Sequence, residues 1–270
     1  MHTHMELLLT GLEREQGEHL AASVEQRVKA MERRFNRFDM KSPLAVLNSR
    51  AAAESVAVDD ELFMALELCE VFRVATRGYF SVATSTSKAD VVPYRLDAKS
   101  HSVEFSGEGI QLDMGGFAKG FALEQVARMA REAGAKLGLL NFGNSSVAGI
   151  GHHPYGEWWS VGVVNPENVG VAACEVHLRD SAMSVSGRST AGEYHIINPH
   201  TGVKVAQDEL ILVEGRSALV AEVLSTALYA APLYAAPQSE REAIMQQFEG
   251  YRATEIVCHK GGGVEKRIIK

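Results

Sequence analysis

The apolar positions of this chain fall into two rhythms. Leu20, Val24, Val28, Met31, Phe35 and Phe38 recur at spacings of three and four, which predicts an amphipathic helix over 15–38. Ser42-Pro43 stops that pattern, and 44–48 reads as a short turn of helix. Leu62, Leu66, Cys69 and Phe72 share one face of a second helix over 59–76, with Gly78 where helices commonly end. A third helix begins after Gly115-Gly116 and carries Phe121, Val126 and Met129, and a fourth covers 217–229. Between them lie short β-rich runs at 5–10, 109–113, 137–141, 147–150, 158–164, 172–178, 194–197, 254–258 and 264–269. The last two are joined by Lys260-Gly261-Gly262-Gly263, read as a hairpin loop. No repeat, linker or low-complexity tract interrupts the mixture, so the expected fold is α+β, with 1–270 as one domain.

Composition narrows the classes of function. A chain of 270 residues with 46% hydrophobic content can build a sizeable core without staples. Lys and Arg total 27 against 34 Asp and Glu, a net charge of −7, which argues against nucleic acid because phosphate binding needs clustered cations. No apolar run reaches the roughly 18 residues of a spanning helix, so no membrane-spanning segment is expected. The first residues lack the basic region and apolar core of a signal peptide, so the sequence as it stands reads as cytoplasmic. A leader removed beforehand would make the protein exported and periplasmic instead. Cys69, Cys174 and Cys258 are far apart and odd in number, which suits buried free thiols rather than a disulfide or zinc framework.

Three segments carry candidate chemistry. The stretch Asp113-Met114-Gly115-Gly116-Phe117-Ala118-Lys119-Gly120 joins a strand-like run to a helix. Adjacent glycines permit close backbone approach to a ligand, the helix start offers N–H groups, and Lys119 adds a point charge. Together they suit a pyrophosphate; the plainer alternative is a turn whose glycines only allow close packing. The second segment pairs Ser186-Gly187 with Tyr194-His195-Ile196-Ile197-Asn198-Pro199-His200-Thr201-Gly202. His195 there is a candidate acid or base, or a phosphate contact, set against the commoner structural histidine. In the third, Glu222 and Thr226 stand at i and i+4 on one helix face, offering hard oxygen atoms of the kind Mg²⁺ prefers, or simply a solvated Glu and a back-bonded Thr. His152-His153 has no further ligand at metal spacing and reads as a solvated loop.

The order of these blocks resembles the FAD:protein FMN transferases, the ApbE-type flavin transferases, over nearly the whole chain. The family's Asp-Leu-Gly-Gly-Ile-Ala-Lys-Gly is matched by Asp113 to Gly120, its Gly-Ala-Phe-Asp turn by Gly78-Tyr79-Phe80-Ser81, and its Asp-Ala-Leu-Ser-Thr-Ala by Glu222 to Ala227. Ser42 to Asn48, Asn141-Phe142-Gly143-Asn144 and the block from His195 to Gly202 fall in the same order, and Met1-His2-Thr3 stands where the family has Met-Gly-Thr. The resemblance implies mainly antiparallel sheets with packed helices. It also implies an enzyme that splits FAD, passes FMN to a Thr or Ser hydroxyl of a flavin-acceptor protein, and releases AMP with Mg²⁺ as helper. On the matched positions the Gly116 carbonyl, Glu222, Ser225 and Thr226 would hold the metal, and His195 would be the base. Asp113 and Lys119 would bind FAD, with Phe38, Tyr79, Phe80, Ser81 and Ile197 around its flavin or adenine end.

Several positions depart from the family pattern. Glu222 replaces an Asp, Ser81 replaces the last residue of Gly-Ala-Phe-Asp, Asn144-Ser145 replaces Gly-Asp, and Glu124 stands where Asp is frequent. These carboxylate changes motivate a second reading, a flavin-binding or FAD-hydrolysing relative without transferase activity. A third is a fold retained for another ligand or as an interaction module.

Overall fold

The computed structural model describes residues 4–84, 92–188, 194–231 and 240–269. Met1-His2-Thr3 lies outside the described residues. Strand β1 (Met5–Thr10) leads into helix α1 (Arg14–Phe35), which stops three residues short of the predicted end. Asn36 adopts an extended backbone there, and its side chain accepts a hydrogen bond from the Phe38 N–H at 3.0 Å. The apolar spacing therefore runs past the end of the helix itself. Ser42-Pro43 starts an element rather than ending one: Ser42 caps α2 (Pro43–Arg50), accepting from Ala45 N–H at 3.0 Å, with proline at the first helical position.

Strand β2 (Val56–Ala57) precedes α3 (Asp60–Ala75), whose N-cap Asp59 accepts from Glu61 and Leu62 at 3.1 and 3.0 Å. Gly78 then turns the chain with φ of +81°. Strands β3 (Tyr94–Asp97) and β4 (Ser102–Phe105) join β2 in a small sheet with β4 at its centre, which the periodicity did not predict. The expected strand over 109–113 is absent; only Leu112 forms a bridge, to Ala83. Buried Asn48 supplies what a partner strand would have supplied, donating to Leu112 O at 2.9 Å and accepting from Leu112 N–H at 2.8 Å.

Helix α4 (Gly115–Glu132) follows, then β5 (Leu137–Phe142), β6 (Ser146–Ile150), β7 (Trp159–Val164), β8 (Ala172–Leu178), β9 (Ala182–Ser186) and β10 (Leu210–Gly215). The chain continues with α5 (Ala218–Ala230), α6 (Glu240–Met245), β11 (Arg252–Cys258) and β12 (Val264–Ile269). Between β9 and β10, the expected strand over 194–197 is reduced to a bridge from Ile197 to Lys204 around a turn closed by Gly202 N–H to Asn198 O at 2.8 Å. Of the elements after α4, β9, β10 and α6 were not predicted.

The main sheet has seven strands in the order β1-β5-β6-β9-β10-β11-β12, and every pairing in it is antiparallel. Its central strands are buried on both faces. Ile211 and Val213 of β10 join the core shared with α4 and α5, while Leu210 and Leu212 join a second core. The β7–β8 ribbon covers that second face with Trp159, Val163, Val176 and Leu178. The fold is α+β, and Cys69, Cys174 and Cys258 are buried free thiols as expected. Among the described residues, no helix is long and apolar enough to cross a membrane.

Candidate active site

Helices α4 and α5 meet more closely than side chains normally allow, and two glycines are the reason. A Cβ on Gly120 would lie 2.6 Å from Glu222 Cβ and 2.8 Å from Ala218 O. A Cβ on Gly116, one turn earlier, would lie 3.1 Å from Thr226 Cγ2. The pairs 116 with 226 and 120 with 222 set the two helices antiparallel, with Glu222 and Thr226 one turn apart against the glycine face. The glycines thus pack helices together, which was the plainer of the two readings. That packing also places Lys119 against Glu222.

Glu222 is 2% exposed and forms an ion pair with Lys119 through Oε1. Its Oε2 accepts from Ser146 Oγ and, at 2.8 Å, from Ser184 Oγ. Behind it, the Ser225 hydroxyl lies 3.1 Å from Ser184 Oγ, 2.9 Å from Ser186 Oγ and 3.0 Å from Glu222 O. Thr226 Oγ1 is 3.5 Å from Ser186 Oγ. A buried carboxylate survives only with a counter-charge and satisfied lone pairs, and this one has both.

A cleft of about 910 Å³ opens in front of this pair. It is lined by Asp113, Gly116, Lys119, Glu222 and Thr226 on the helix side and by Tyr79, Phe80, Ser81, His195 and Ile197 on the loop side. The start of α4 offers fewer spare donors than the sequence suggested. Gly115 N–H is taken by Asp113 Oδ1 at 2.9 Å, and Phe117 N–H by Met114 O at 3.0 Å. Lys119 is then the main cationic donor of that wall. On the loop side, Tyr79 packs against His200 with ring centroids 4.3 Å apart and the planes tilted by 42°, and its phenol is pushed up in pKa by burial and then by Glu240. Phe80 is mostly core, packed edge-on against Phe72. Ser81 Oγ accepts from Ala83 N–H at 3.1 Å, and His195 is exposed at the cleft wall.

Two sequence-predicted site residues are not brought to the cleft. Phe38 is 77% exposed on the loop after α1, under the Arg37 guanidinium, because α1 ends at Phe35. Ser225 is wholly buried behind the wall. Three residues were missed: Ser146, which holds Glu222; Arg37, 3.3 Å from Asp113 Oδ2; and Arg188, which pairs with Glu167 at the cleft edge. A serine in a buried strand and two lone arginines carry no linear signal that would have found them.

The residues named for magnesium do not fit a divalent ion as they are arranged. Both Glu222 oxygens are engaged, one of them by an ammonium group, and Ser225 is enclosed by other hydroxyls. Mg²⁺ requires near-octahedral oxygen ligands, usually with one or two carboxylates free to bind it. Among the described residues, no group of three or more His, Cys, Asp or Glu side chains stands close enough to hold a metal. The carboxylate and hydroxyls of the expected magnesium site are thus paired with Lys119 and with neighbouring hydroxyls.

The sequence pattern of the ApbE family matches residues 1–88 and 86–247. A FAD:protein FMN transferase of Treponema pallidum (strain Nichols) is 26% identical over 236 residues, covering 70% of this chain and 64% of that protein. The chain therefore spans a little under two thirds of the length of that curated relative. Among solved structures, the ApbE protein of Thermotoga maritima superposes with a TM-score of 0.75 at 20% identity, covering 97% of each chain. The flavin transferase ApbE of Vibrio cholerae gives 0.77 at 16% identity, over 99% of this chain and 94% of that one. The apo flavinyl transferase ApbE of Pseudomonas stutzeri gives 0.77 at 17%, with the same coverage. At such identities the structural likeness establishes the shared fold.

Proposed function

The chain belongs to the ApbE family, and from that premise we propose that it is an FAD:protein FMN transferase, moving FMN from FAD to a Thr or Ser hydroxyl of a target protein. The observation that carries the reading is the convergence of Asp113, Lys119, Thr226, Tyr79, Ser81 and His195, from separate segments, on one cleft. Its volume of about 910 Å³ is near the upper end of the usual range for ligand sites, roughly 300–1,000 Å³, as a dinucleotide requires.

In this reading Lys119 donates to the pyrophosphate, and Tyr79, Ser81 and Ile197 flank the flavin or adenine end. The acceptor hydroxyl oxygen attacks the FMN phosphorus while the bond from that phosphorus to the bridging oxygen breaks. The FMN phosphoester forms on the acceptor, and AMP leaves with the bridging oxygen. His195 takes the hydroxyl proton as general base. Magnesium, when bound, would neutralise pyrophosphate charge. The engaged Glu222 carboxylate gives it no ready ligand.

The test is incubation of the protein with FAD and a threonine-bearing flavin-acceptor domain, followed by in-gel flavin fluorescence and chromatography of AMP. The expected result is covalent labelling with AMP released in equal amount. AMP and free FMN without labelling would replace transfer by hydrolysis, and neither product would overturn the reading.

A further inference from the structure

We infer that Lys119 is the resident cation of this site, so that FAD binds here without a divalent metal. The inference rests on the flavin reading above and concerns how the pyrophosphate charge is met. Both Glu222 oxygens are already engaged: Oε1 is paired with Lys119, and Oε2 accepts from the hydroxyls of Ser146 and Ser184.

The longer side chain explains this commitment. Glu222 Cβ is fixed by the helix contact, where even a methyl group on Gly120 would come within 2.6 Å. From that position the Glu222 side chain reaches across to Ser146 of β6 and Ser184 of β9. A divalent ion entering here would have to displace Lys119 or stand beside it, and adjacent like charges repel strongly where water is scarce. Lys119 itself remains a cleft residue, its side chain 24% exposed. An ammonium has three donors, and Glu222 engages one of them, so a pyrophosphate oxygen can be met by the same group. The pair therefore holds a positive charge in the cleft with its counter-ion buried behind it.

The experiment is titration of the full chain with FAD, read by flavin fluorescence, in EDTA and in Mg²⁺. A parallel titration with Mn²⁺ alone is read by electron paramagnetic resonance. The FAD dissociation constant is expected to agree within about twofold in the two conditions, and Mn²⁺ is expected to stay free. The double variant Lys119→Met/Glu222→Gln removes both charges together, so no unpaired charge is left buried. It is expected to lose about tenfold or more in FAD affinity with or without metal, the scale of one charge-assisted hydrogen bond. Binding that tightens about tenfold or more with Mg²⁺, Mn²⁺ held by the chain alone, or a double variant that binds like wild type would each overturn the inference. Absence of FAD binding in every condition would instead overturn the flavin reading on which it rests.

Discussion

The inner and outer ends of the cleft are built from different material. At the inner end Lys119 and Glu222 sit between two helices and the main sheet, and Glu222 is 2% exposed with all its hydrogen bonds internal. At the outer end Tyr79, Ser81, His195 and Ile197 come from loop segments outside the helices and named strands, and His195 stands exposed. A change at the inner end must disturb burial, charge and helix packing together. A change at the outer end can alter chemistry while leaving the fold alone. In the proposed reading the inner end would hold the part of the substrate that stays fixed, and the outer end would admit an acceptor.

The largest effect that would sharpen this contrast is at the outer end. His195→Ala is expected to slow FMN transfer by about 10²–10⁴-fold, the range for loss of a general base. Its stability to urea should stay within about 0.5 kcal/mol of wild type, as for an exposed substitution. Lys119→Met comes next and should act on stability: stranding the Glu222 carboxylate without its counter-charge is expected to cost about 3–5 kcal/mol. Urea unfolding measures it, and a loss under 1 kcal/mol would mean that the pair is not buried in the way described.

Smaller effects follow from packing and burial. Gly120→Ala forces α4 from α5 and is expected to cost about 1–3 kcal/mol, while Gly107→Ala, with open space at its Cβ position, should be near neutral. Tyr229 is pushed up to about 12, chiefly by burial. Because its folded pKa is raised, the stability it contributes is intact below about pH 10 and is lost as pH rises through about 12. Melting temperature measured over that window should fall, and less steeply for Tyr229→Phe. Least of all, Phe38→Ala should leave FAD affinity unchanged within about twofold, since its side chain lies away from the cleft.

What could be read from sequence follows the same division between regular and irregular structure. The helices were legible because one face of each is buried at a helical period, as with Leu62, Leu66, Cys69 and Phe72. Strand β10 was not, because burial on both faces erases the alternation that marks a strand. The false strand over 109–113 arose because Asn48, distant in sequence, supplies Leu112's hydrogen bonds. Asp113, Lys119, His195 and Thr226 belong to continuous motifs, and all four line the cleft. Ser146 acts only through Glu222, 76 positions away, and such a contact leaves no trace in local spacing. Phe38 was misplaced because the apolar rhythm continued past a helix that Asn36 had already ended.

The crystal structure of the protein soaked with FAD would test the central claim most directly. The expected density places the pyrophosphate within hydrogen-bonding distance of Lys119 Nζ at the inner end, with His195 and the flavin-side phosphorus facing the open end. FAD bound elsewhere, or in the cleft with its pyrophosphate away from Lys119, would contradict the division of labour between the two ends.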